Sequence, residues 1–491
     1  MSERLDELVT QKITAAPTDP CLWWRGDWWS CGAFGEMIEE SEKNLRESGF
    51  SVGQRLALLL PNSPILLASC IAAWRLGGSV VPVNPQLRSS SLRDYLRKVD
   101  VFGAIVSEEE AGLASELDRV GIPASSASLN DAAPPIEGGK GEPDDTSEIA
   151  VLFQTAGVSG NPKAVPITHR GILAILSSIL ELVPAINEDD VILNAIPNYH
   201  SLGFVVGGAL PLAFGMPQVT LPSFMPPKTA LAAIRSAEVT IIPAVPMMLS
   251  VLLGGERSAS PLSRLKMVFY GGGKLTPGVA ERAREFFGVE LLEGYGLTEA
   301  SSVLAVTPDE SATKPGSSGR ILPCFDAQVR DEEGNALPFG AEGRLWIRGE
   351  PLAKGYYRSP EISAERFKDG WFDAQDIVRI DEEGYITIVS PAVDVITVGG
   401  VSVYPAEIEA VLREHPDVED AAVIGVTGGI KGESIRAFVV LSEGAGMRPR
   451  DLISYCRTKL PNYKVPRSIE FLPELPKNSL GNVMKKELRG V

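Results

Sequence analysis

The chain has 491 residues, of which 44% are hydrophobic and 22% are charged, proportions that are typical of a globular protein with more than one core. Its 63 acidic residues outnumber 46 lysines and arginines, and the resulting net charge of -17 disfavours nucleic acid as a partner. Five scattered cysteines without a C-x-x-C pair predict packed thiols in a reducing compartment rather than a disulfide scaffold or a zinc site.

The first elements of the chain indicate where the protein resides and how it begins to fold. Residues 1–17 carry charge throughout and lack an apolar stretch of signal-peptide length, and no later run is apolar over a membrane-spanning length. The sequence therefore predicts a cytoplasmic protein without a transmembrane segment. Residues 23–29 place four tryptophans around an Arg-Gly-Asp tripeptide, for which a β-hairpin with a glycine turn is preferred over an adhesion or membrane-interface motif.

Strand and helix patterns then alternate through the first half of the chain. Apolar runs at residues 56–60 and 80–83 flank a buried-helix pattern at residues 65–76. Similar short runs recur at residues 101–106, 191–196 and 239–242. This order predicts parallel sheets that are covered by helices. Residues 121–147 are rich in Pro, Gly and Ser without periodicity, which predicts a surface connection.

A small-residue loop with one lysine follows the apolar run at residues 149–153. Gly157, Ser159 and Gly160 leave room for backbone N–H groups and a hydroxyl to approach phosphate oxygens, and Lys163 adds a positive charge. It is not a Walker A loop, because two residues separate the last glycine from the lysine and no Ser or Thr follows. The alternative is an ordinary glycine-rich turn between a strand and a helix.

The pattern changes after about residue 316. Short alternating strands with acidic turns predict an antiparallel subdomain, and after a break the chain shows helix, strand, strand and helix patterns at residues 405–414, 421–426, 435–441 and 449–460. We therefore predict an α/β protein. Residues 1–390 form a large N-terminal domain of parallel-rich sheets with helices plus a small antiparallel β subdomain, and residues 394–491 form a small mobile α+β C-terminal domain. The hinge is predicted at about residues 390–394.

Ten motifs resemble, in type and order, those of the adenylate-forming superfamily of acyl-CoA synthetases, nonribosomal-peptide adenylation domains and luciferases. They lie at residues 153–165, 197–203, 271–273, 293–299, 343–349, 355–356, 371–372, 376, 384–385 and 403–409. Each motif is weak alone, and the resemblance rests on their conjunction and order. Residues 166–170 and 199–204 are most similar to the fatty acyl-CoA and fatty acyl-carrier-protein synthetase branches.

The resemblance implies an acid–thiol ligase. Such an enzyme joins a small carboxylic acid, here expected to be a fatty acid, to the α-phosphate of ATP and releases pyrophosphate. It then transfers the acyl group from acyl-AMP to CoA or to the phosphopantetheine of an acyl carrier protein, and AMP is released. ATP, Mg²⁺ and CoA are the implied ligands, while the particular acid, the acceptor thiol and the oligomeric state are left open.

The same resemblance implies a set of nucleotide-binding residues. They are Thr155, Gly157, Ser159, Gly160, Gly271, Gly272, Gly273, Tyr295, Gly296 and Asp376. Tyr295 is expected to lie against the adenine ring, and the three consecutive glycines are expected to let the backbone approach the base. Asp376 is expected to accept hydrogen bonds from the ribose hydroxyls, with an ordinary turn aspartate as the competing interpretation.

The implied catalytic residues are Lys163, His200, Thr298 and Glu299. Glu299 is expected to hold Mg²⁺, and the alternative is a surface acid at a strand end. His200 is expected beside the reacting carboxylate, and the alternative is a satisfied core histidine. Gly399 and Gly400 are expected near pantetheine during thioester formation, because glycine allows a close approach.

The chain departs from the family pattern at two positions where the family has a positively charged residue. Asn482 stands where the family has its adenylation lysine, and Pro391 stands where an arginine is usual. An amide cannot neutralise the carboxylate and phosphate as they meet. Three interpretations follow: an active enzyme that uses Lys477, Lys485 or Lys486 instead, an enzyme that performs mainly the thioester-forming half-reaction, or a binding protein for nucleotide or acyl ligands without turnover.

Overall fold

The computed structural model describes residues 4–85, 90–144, 148–156, 162–255, 262–273, 275, 277–390, 396–398, 401–403, 405–427, 433–442, 444–476, 483 and 485–488. Its α-helices are α1 (Leu5–Ala15), α2 (Cys31–Glu47), α3 (Pro64–Arg75), α4 (Ser90–Lys98), α5 (Ala111–Arg119), α6 (His169–Leu182), α7 (Leu210–Phe214), α8 (Pro227–Ser236), α9 (Pro246–Gly255), α10 (Pro277–Phe287), α11 (Pro360–Arg366), α12 (Pro405–Arg413), α13 (Pro449–Lys459) and α14 (Lys485–Leu488). A π-helix at Gly203–Ala209 precedes α7.

The strands of the large N-terminal region form two sheets. In chain order they are β1 (Pro20–Trp24), β2 (Asp27–Ser30), β3 (Arg55–Leu59), β4 (Ser79–Pro82), β5 (Gly103–Ser107), β6 (Ala124–Ala127), β7 (Ile149–Ala156), β8 (Pro162–Thr168), β9 (Ile192–Asn194), β10 (Gln218–Thr220), β11 (Ile241–Ala244), β12 (Met267–Tyr270), β13 (Leu291–Tyr295), β14 (Ala305–Val306) and β15 (Arg320–Ile321). The six-stranded sheet has the order β6-β5-β3-β4-β7-β8, and the nine-stranded sheet has the order β15-β14-β13-β12-β11-β9-β10-β1-β2.

Parallel pairing dominates both sheets, as the sequence predicts. In the six-stranded sheet only the β7–β8 pair is antiparallel, and in the other sheet the antiparallel pairs are confined to the two ends. Helix α3 is buried at every residue except Arg75, which accounts for its nearly continuous apolar sequence. The predicted tryptophan hairpin is confirmed as β1 and β2, with Trp23 opposite Trp28.

One loop prediction requires correction, and the alternative considered for a second loop is ruled out. The connection predicted at residues 121–147 contains strand β6, which pairs in parallel with β5 at the edge of the sheet. The lysine-bearing loop joins β7 to β8, so a strand follows it rather than a helix. Because β8 lies at the end of its sheet, the prolines at 162 and 166 are tolerated in a strand.

The second half of the chain adds an antiparallel subdomain and a smaller unit. The remaining strands are β16 (Phe325–Arg330), β17 (Gly343–Gly349), β18 (Phe367–Lys368), β19 (Trp371–Ile380), β20 (Ile386–Ser390), β21 (Ile396–Val398), β22 (Val401–Val403), β23 (Val418–Thr427), β24 (Glu433–Leu441) and β25 (Ser468–Phe471). Strands β16–β20 form the predicted antiparallel sheet. Strands β23–β25 with α12 and α13 enclose a separate hydrophobic core around Leu412, Val423 and Leu452. Of the hinge predicted at about residues 390–394, Ser390 ends β20, and residues 391–394, with Pro391, lie outside the described residues.

The C-terminal unit contacts the N-terminal region near the end of β4. Asn84 Nδ2 donates a hydrogen bond of 3.1 Å to the hydroxyl of Tyr463, which belongs to a 3₁₀ turn at Asn462–Lys464. All five cysteines are free, and four of them are buried. Within the described ranges, no helix has both the length and the apolar character needed to cross a bilayer.

Candidate active site

The β7–β8 hairpin brings two predicted site residues opposite each other. Thr155 is the cross-strand partner of Lys163, and both are buried, at 9% and 8% exposure. The loop that joins them begins and ends within the same hairpin, so both side chains flank its base. Gly157, Ser159 and Gly160 of this loop lie outside the described residues, and their phosphate role stays a prediction.

Lys163 lies against an aromatic ring in a site of mixed charge. Its Nζ atom is 4.5 Å from the ring centroid of Tyr356. Burial and the nearby Arg366 lower the pKa of Lys163, whereas Glu299 and Glu365 act to raise it. A cation that is partly stripped of water is suited to a polyanionic ligand such as a phosphate chain.

Glu299 approaches the same tyrosine from the other side. It lies in a 3₁₀ turn at Thr298–Ala300, after β13, and its Oε1 accepts a hydrogen bond of 2.8 Å from the Tyr356 hydroxyl. The backbone carbonyl of Glu299 accepts another 2.8 Å bond from the Ala353 N–H. Two predicted catalytic residues that are 136 positions apart therefore meet at Tyr356. Thr298 lies in the turn directly before Glu299 and is partly buried.

Tyr295 and Asp376 form a second pair in this region. The Tyr295 hydroxyl, at the end of β13, donates a hydrogen bond to Oδ2 of Asp376 on β19. Burial and the Asp376 carboxylate raise the pKa of Tyr295 well above its usual value, and Glu299 acts in the same direction. Two residues that were both predicted to bind nucleoside are therefore in direct contact, across the boundary between the nine-stranded sheet and the antiparallel subdomain.

Glycines leave space along the same edge of the nine-stranded sheet. A Cβ atom at Gly296 would lie 1.6 Å from the carbonyl oxygen of Ser302, so no other residue fits there. A Cβ atom at Gly271 would lie 3.1 Å from the carbonyl oxygen of Gly294 and 3.9 Å from a methyl group of Leu202. Gly272 has a φ of +76°, and Gly273 follows it in the turn after β12. The turn thus faces Leu202, beside the predicted acid-binding motif.

His200 is neutral and has an unused ring nitrogen. Burial, with the cation of Lys464 nearby, lowers the pKa of His200 to about 4. Its Nε2 atom is buried and has no hydrogen-bond partner within the described part of the chain. A buried polar atom without a partner is costly, so the Nε2 atom of His200 is available for a hydrogen bond with a bound ligand. Nε2 of His169 is unpartnered in the same way within the described ranges, so this observation alone does not assign His200 to the substrate.

Comparisons with known proteins identify the family of the chain. The AMP-binding enzyme family model matches residues 9–357, and the AMP-binding enzyme C-terminal domain model matches residues 407–482. The chain belongs to the AMP-binding enzyme family.

Individual relatives carry several different names. A 2-succinylbenzoate–CoA ligase of Geobacillus kaustophilus is 33% identical over 93% of this chain and 92% of its own length. A long-chain-fatty-acid–CoA ligase of Yersinia pestis is 33% identical over 70% of this chain, and the match spans 61% of that protein. Among solved structures, the amide bond synthetase McbA of Marinactinospora thermotolerans superposes with a TM-score of 0.86 at 29% identity, covering 99% of each chain.

The family assignment makes this protein an adenylate-forming enzyme, and the CoA-ligase names of its relatives are consistent with an acid–thiol ligase. Like the loop residues Gly157, Ser159 and Gly160, the predicted positions Gly399, Gly400 and Asn482 lie outside the described residues. Of the three lysines considered as substitutes for the family lysine, Lys477 lies outside the described residues, whereas Lys485 and Lys486 lie in α14. The Nζ of Lys485 is 2.7 Å from Oε1 of Glu409, inside the C-terminal unit. In this arrangement Lys485 neutralises a glutamate of its own unit.

Sequence reasoning assigned no role to two residues that lie beside the predicted site residues. Tyr356 belongs to one of the ten motifs, so its position was marked although no role was assigned to it. Lys464 had no such signal, because only the docking of the C-terminal unit brings it near His200.

Proposed function

We propose that the protein activates an apolar carboxylic acid, with a fatty acid as the first candidate, and transfers its acyl group to CoA. One oxygen of the acid attacks the α-phosphorus of ATP and pyrophosphate leaves, giving acyl-AMP. The thiolate sulfur of CoA then attacks the acyl carbonyl, the bond to AMP breaks, and AMP leaves. The observation that carries the proposal is the meeting of Lys163 and Glu299 at Tyr356.

In this proposal, different residues bind the phosphates, the nucleoside and the acid. Lys163 is placed to offset phosphate charge at the base of the glycine-rich loop, and the Tyr295–Asp376 pair is placed to hold the nucleoside. The neutral imidazole of His200 is placed to donate a hydrogen bond to the acid. These contacts orient the two reactants, which is the main contribution a protein makes to phosphoryl transfer.

Magnesium fits the donor set of this site. No group of three or more His, Cys, Asp or Glu side chains within the described ranges is arranged to hold a metal ion. A single carboxylate is nevertheless what Mg²⁺ requires when the phosphates of ATP supply most of its other ligands. Glu299 would hold the ion, and its chemistry would be to neutralise phosphate charge.

An apolar acyl group is supported by the walls near His200. Leu202 packs against two hydrophobic clusters, one on each side of the nine-stranded sheet. The π-helix that follows is buried at six of its seven residues. The relatives named above act on a fatty acid and on succinylbenzoate, so an aryl acid is the alternative substrate class.

The acid-dependent exchange of labelled pyrophosphate into ATP tests the proposal. A panel of short, medium and long fatty acids and aryl acids should reveal exchange above the acid-free blank, strongest for one class. Full turnover is then followed with CoA, with an acyl carrier protein and with an amine as acceptors. Absence of exchange with every acid would contradict adenylation, and thioester formed only from supplied acyl-AMP would limit the enzyme to its second half-reaction.

A further inference from the structure

Tyr356 lies between the two charged groups of the site. Its hydroxyl donates to Oε1 of Glu299 at 2.8 Å, while Lys163 Nζ stands 4.5 Å from the centre of its ring. The tyrosine itself is 4% exposed. One buried side chain therefore contacts both the cation and the carboxylate through different parts of its surface.

The backbone around Tyr356 is hydrogen-bonded to Glu299 and to strand β8, which carries Lys163. The Ala353 N–H donates to the carbonyl of Glu299, and the Tyr357 N–H donates to the carbonyl of Ala164 on β8, each at 2.8 Å. The N–H of Tyr356 donates to Ser363 Oγ at 2.8 Å. Residues 353–357, which we call the strap, therefore connect the magnesium-binding turn to the strand that carries Lys163.

The next residue of the strap makes contacts of a different kind. The Tyr357 hydroxyl donates to Asp144, and its ring stands 5.9 Å from the guanidinium carbon of the fully buried Arg55. Tyr357 thus belongs to an ion-pair network of the six-stranded sheet rather than to the site. It offers a matched control for Tyr356, because the two residues are chemically identical and adjacent.

The contacts of Tyr356 suit the binding of a cation and a phosphate chain. A glutamate side chain has three torsions, and a hydrogen bond to Oε1 restricts them while Oε2 keeps its lone pairs for a metal ion. The ring contacts the lysine through its π face, and within the described ranges Lys163 Nζ donates no hydrogen bond to an oxygen atom. Both groups are thereby held in place with their ligand-binding atoms available.

We propose that Tyr356 is a positioning residue for adenylation, which orients Glu299 towards Mg²⁺ and Lys163 towards the phosphates of ATP. This inference rests on the proposed function. The hydroxyl serves the glutamate and the ring serves the lysine, so the two roles are separable by substitution. Tyr356→Phe removes the first, and Tyr356→Leu removes both.

The test combines calorimetry with pyrophosphate exchange on the full chain. Tyr356→Phe should raise the Mg²⁺ concentration for half-maximal exchange about tenfold, since Glu299 regains torsional freedom that must be lost on metal binding. It should weaken ATP binding several-fold with Mg²⁺ and leave binding in EDTA unchanged. Tyr356→Leu should weaken ATP binding in EDTA as well, and Tyr357→Phe should change neither quantity.

Two results would overturn the inference. One is a Tyr356→Phe protein with the wild-type dependence on Mg²⁺. The other is that Tyr356→Phe and Tyr357→Phe both lose the same ATP affinity in Mg²⁺ as in EDTA and both have lower melting temperatures. That result would assign the strap a structural role alone. If the wild type shows no exchange, the proposed function fails, while the calorimetric comparison still decides the role of Tyr356.

Discussion

His200 should titrate far below the usual range of a histidine. Its desolvated imidazole, close to Lys464, has a pKa lowered from 6.5 to about 4. At pH 6 an ordinary histidine is protonated in about three-quarters of molecules, whereas His200 should be protonated in about one in a hundred. The enzyme should therefore present a neutral hydrogen-bond donor to its acid substrate throughout the physiological range.

The lowered pKa of His200 also predicts how the stability of the fold changes with pH. With a folded-state pKa of about 4, protonation of His200 is about 3 kcal/mol less favourable in the folded protein than in the unfolded chain. Because the pKa of His200 is lower in the folded state, the unfolded chain binds the proton more readily at acid pH. The free energy of unfolding is therefore unaffected by this group above pH 6.5 and decreases as the pH falls towards 4. Between pH 7 and pH 5 His200 should lower the free energy of unfolding by about 2 kcal/mol, and the His200→Gln protein should not show this decrease.

The assay uses the small number of histidines. A chain with three histidines, labelled with ¹³C at the imidazole Cε1, gives three resonances, and single Gln variants of His200 and His169 identify two of them. We expect the His200 resonance to show no transition between about pH 8 and pH 5, and urea unfolding to show the smaller acid sensitivity of His200→Gln. A midpoint near the ordinary value for the His200 resonance would refute the reasoning that burial of Nε2 and the nearby Lys464 keep the ring neutral.

Three further predictions concern the site directly. Glu299→Gln should lower pyrophosphate exchange about 100-fold, because the metal ligand is lost. Glu365→Gln removes a carboxylate near Lys163 and should lower exchange by less than about tenfold. Equal losses in the two variants would contradict the magnesium role of Glu299. Asp376→Asn should raise the KM for ATP about tenfold with little change in kcat, because an amide presents one acceptor oxygen instead of two, and an unchanged KM would argue against ribose binding. Asn482→Lys should raise the adenylation rate if the family geometry persists, and an equal or lower rate would show that another residue has taken over the role.

Much of the fold was predictable because burial leaves a clear pattern. Helix α3 and strand β3 are apolar along nearly their whole length, as elements covered on both faces must be. Strand β8 was missed because its prolines at 162 and 166 contradict the usual composition of a strand. Strand β6 was missed because its sequence, Ala-Ser-Ser-Ala, is too small and polar to show periodicity.

The site was predictable only as far as motifs mark it. Lys163, Glu299, Tyr295 and Asp376 were singled out from the sequence, and the structure brings them together in two contacting groups. The contacts themselves were not predictable, because the hydrogen bond between Tyr295 and Asp376 joins residues 81 positions apart. Such pairs depend on how sheets stack, and no local spacing encodes that arrangement.

The contact between Asn84 and Tyr463 makes the position of the C-terminal unit sensitive to a substitution near the end of β4. A hydrogen bond of this kind contributes about 1 kcal/mol net, which corresponds to a population ratio of about five to one. It is one of several contacts between the two parts of the chain, since Lys464 also lies near His200. Asn84→Ala should therefore weaken the docking of the C-terminal unit by about that factor, while the other contacts remain.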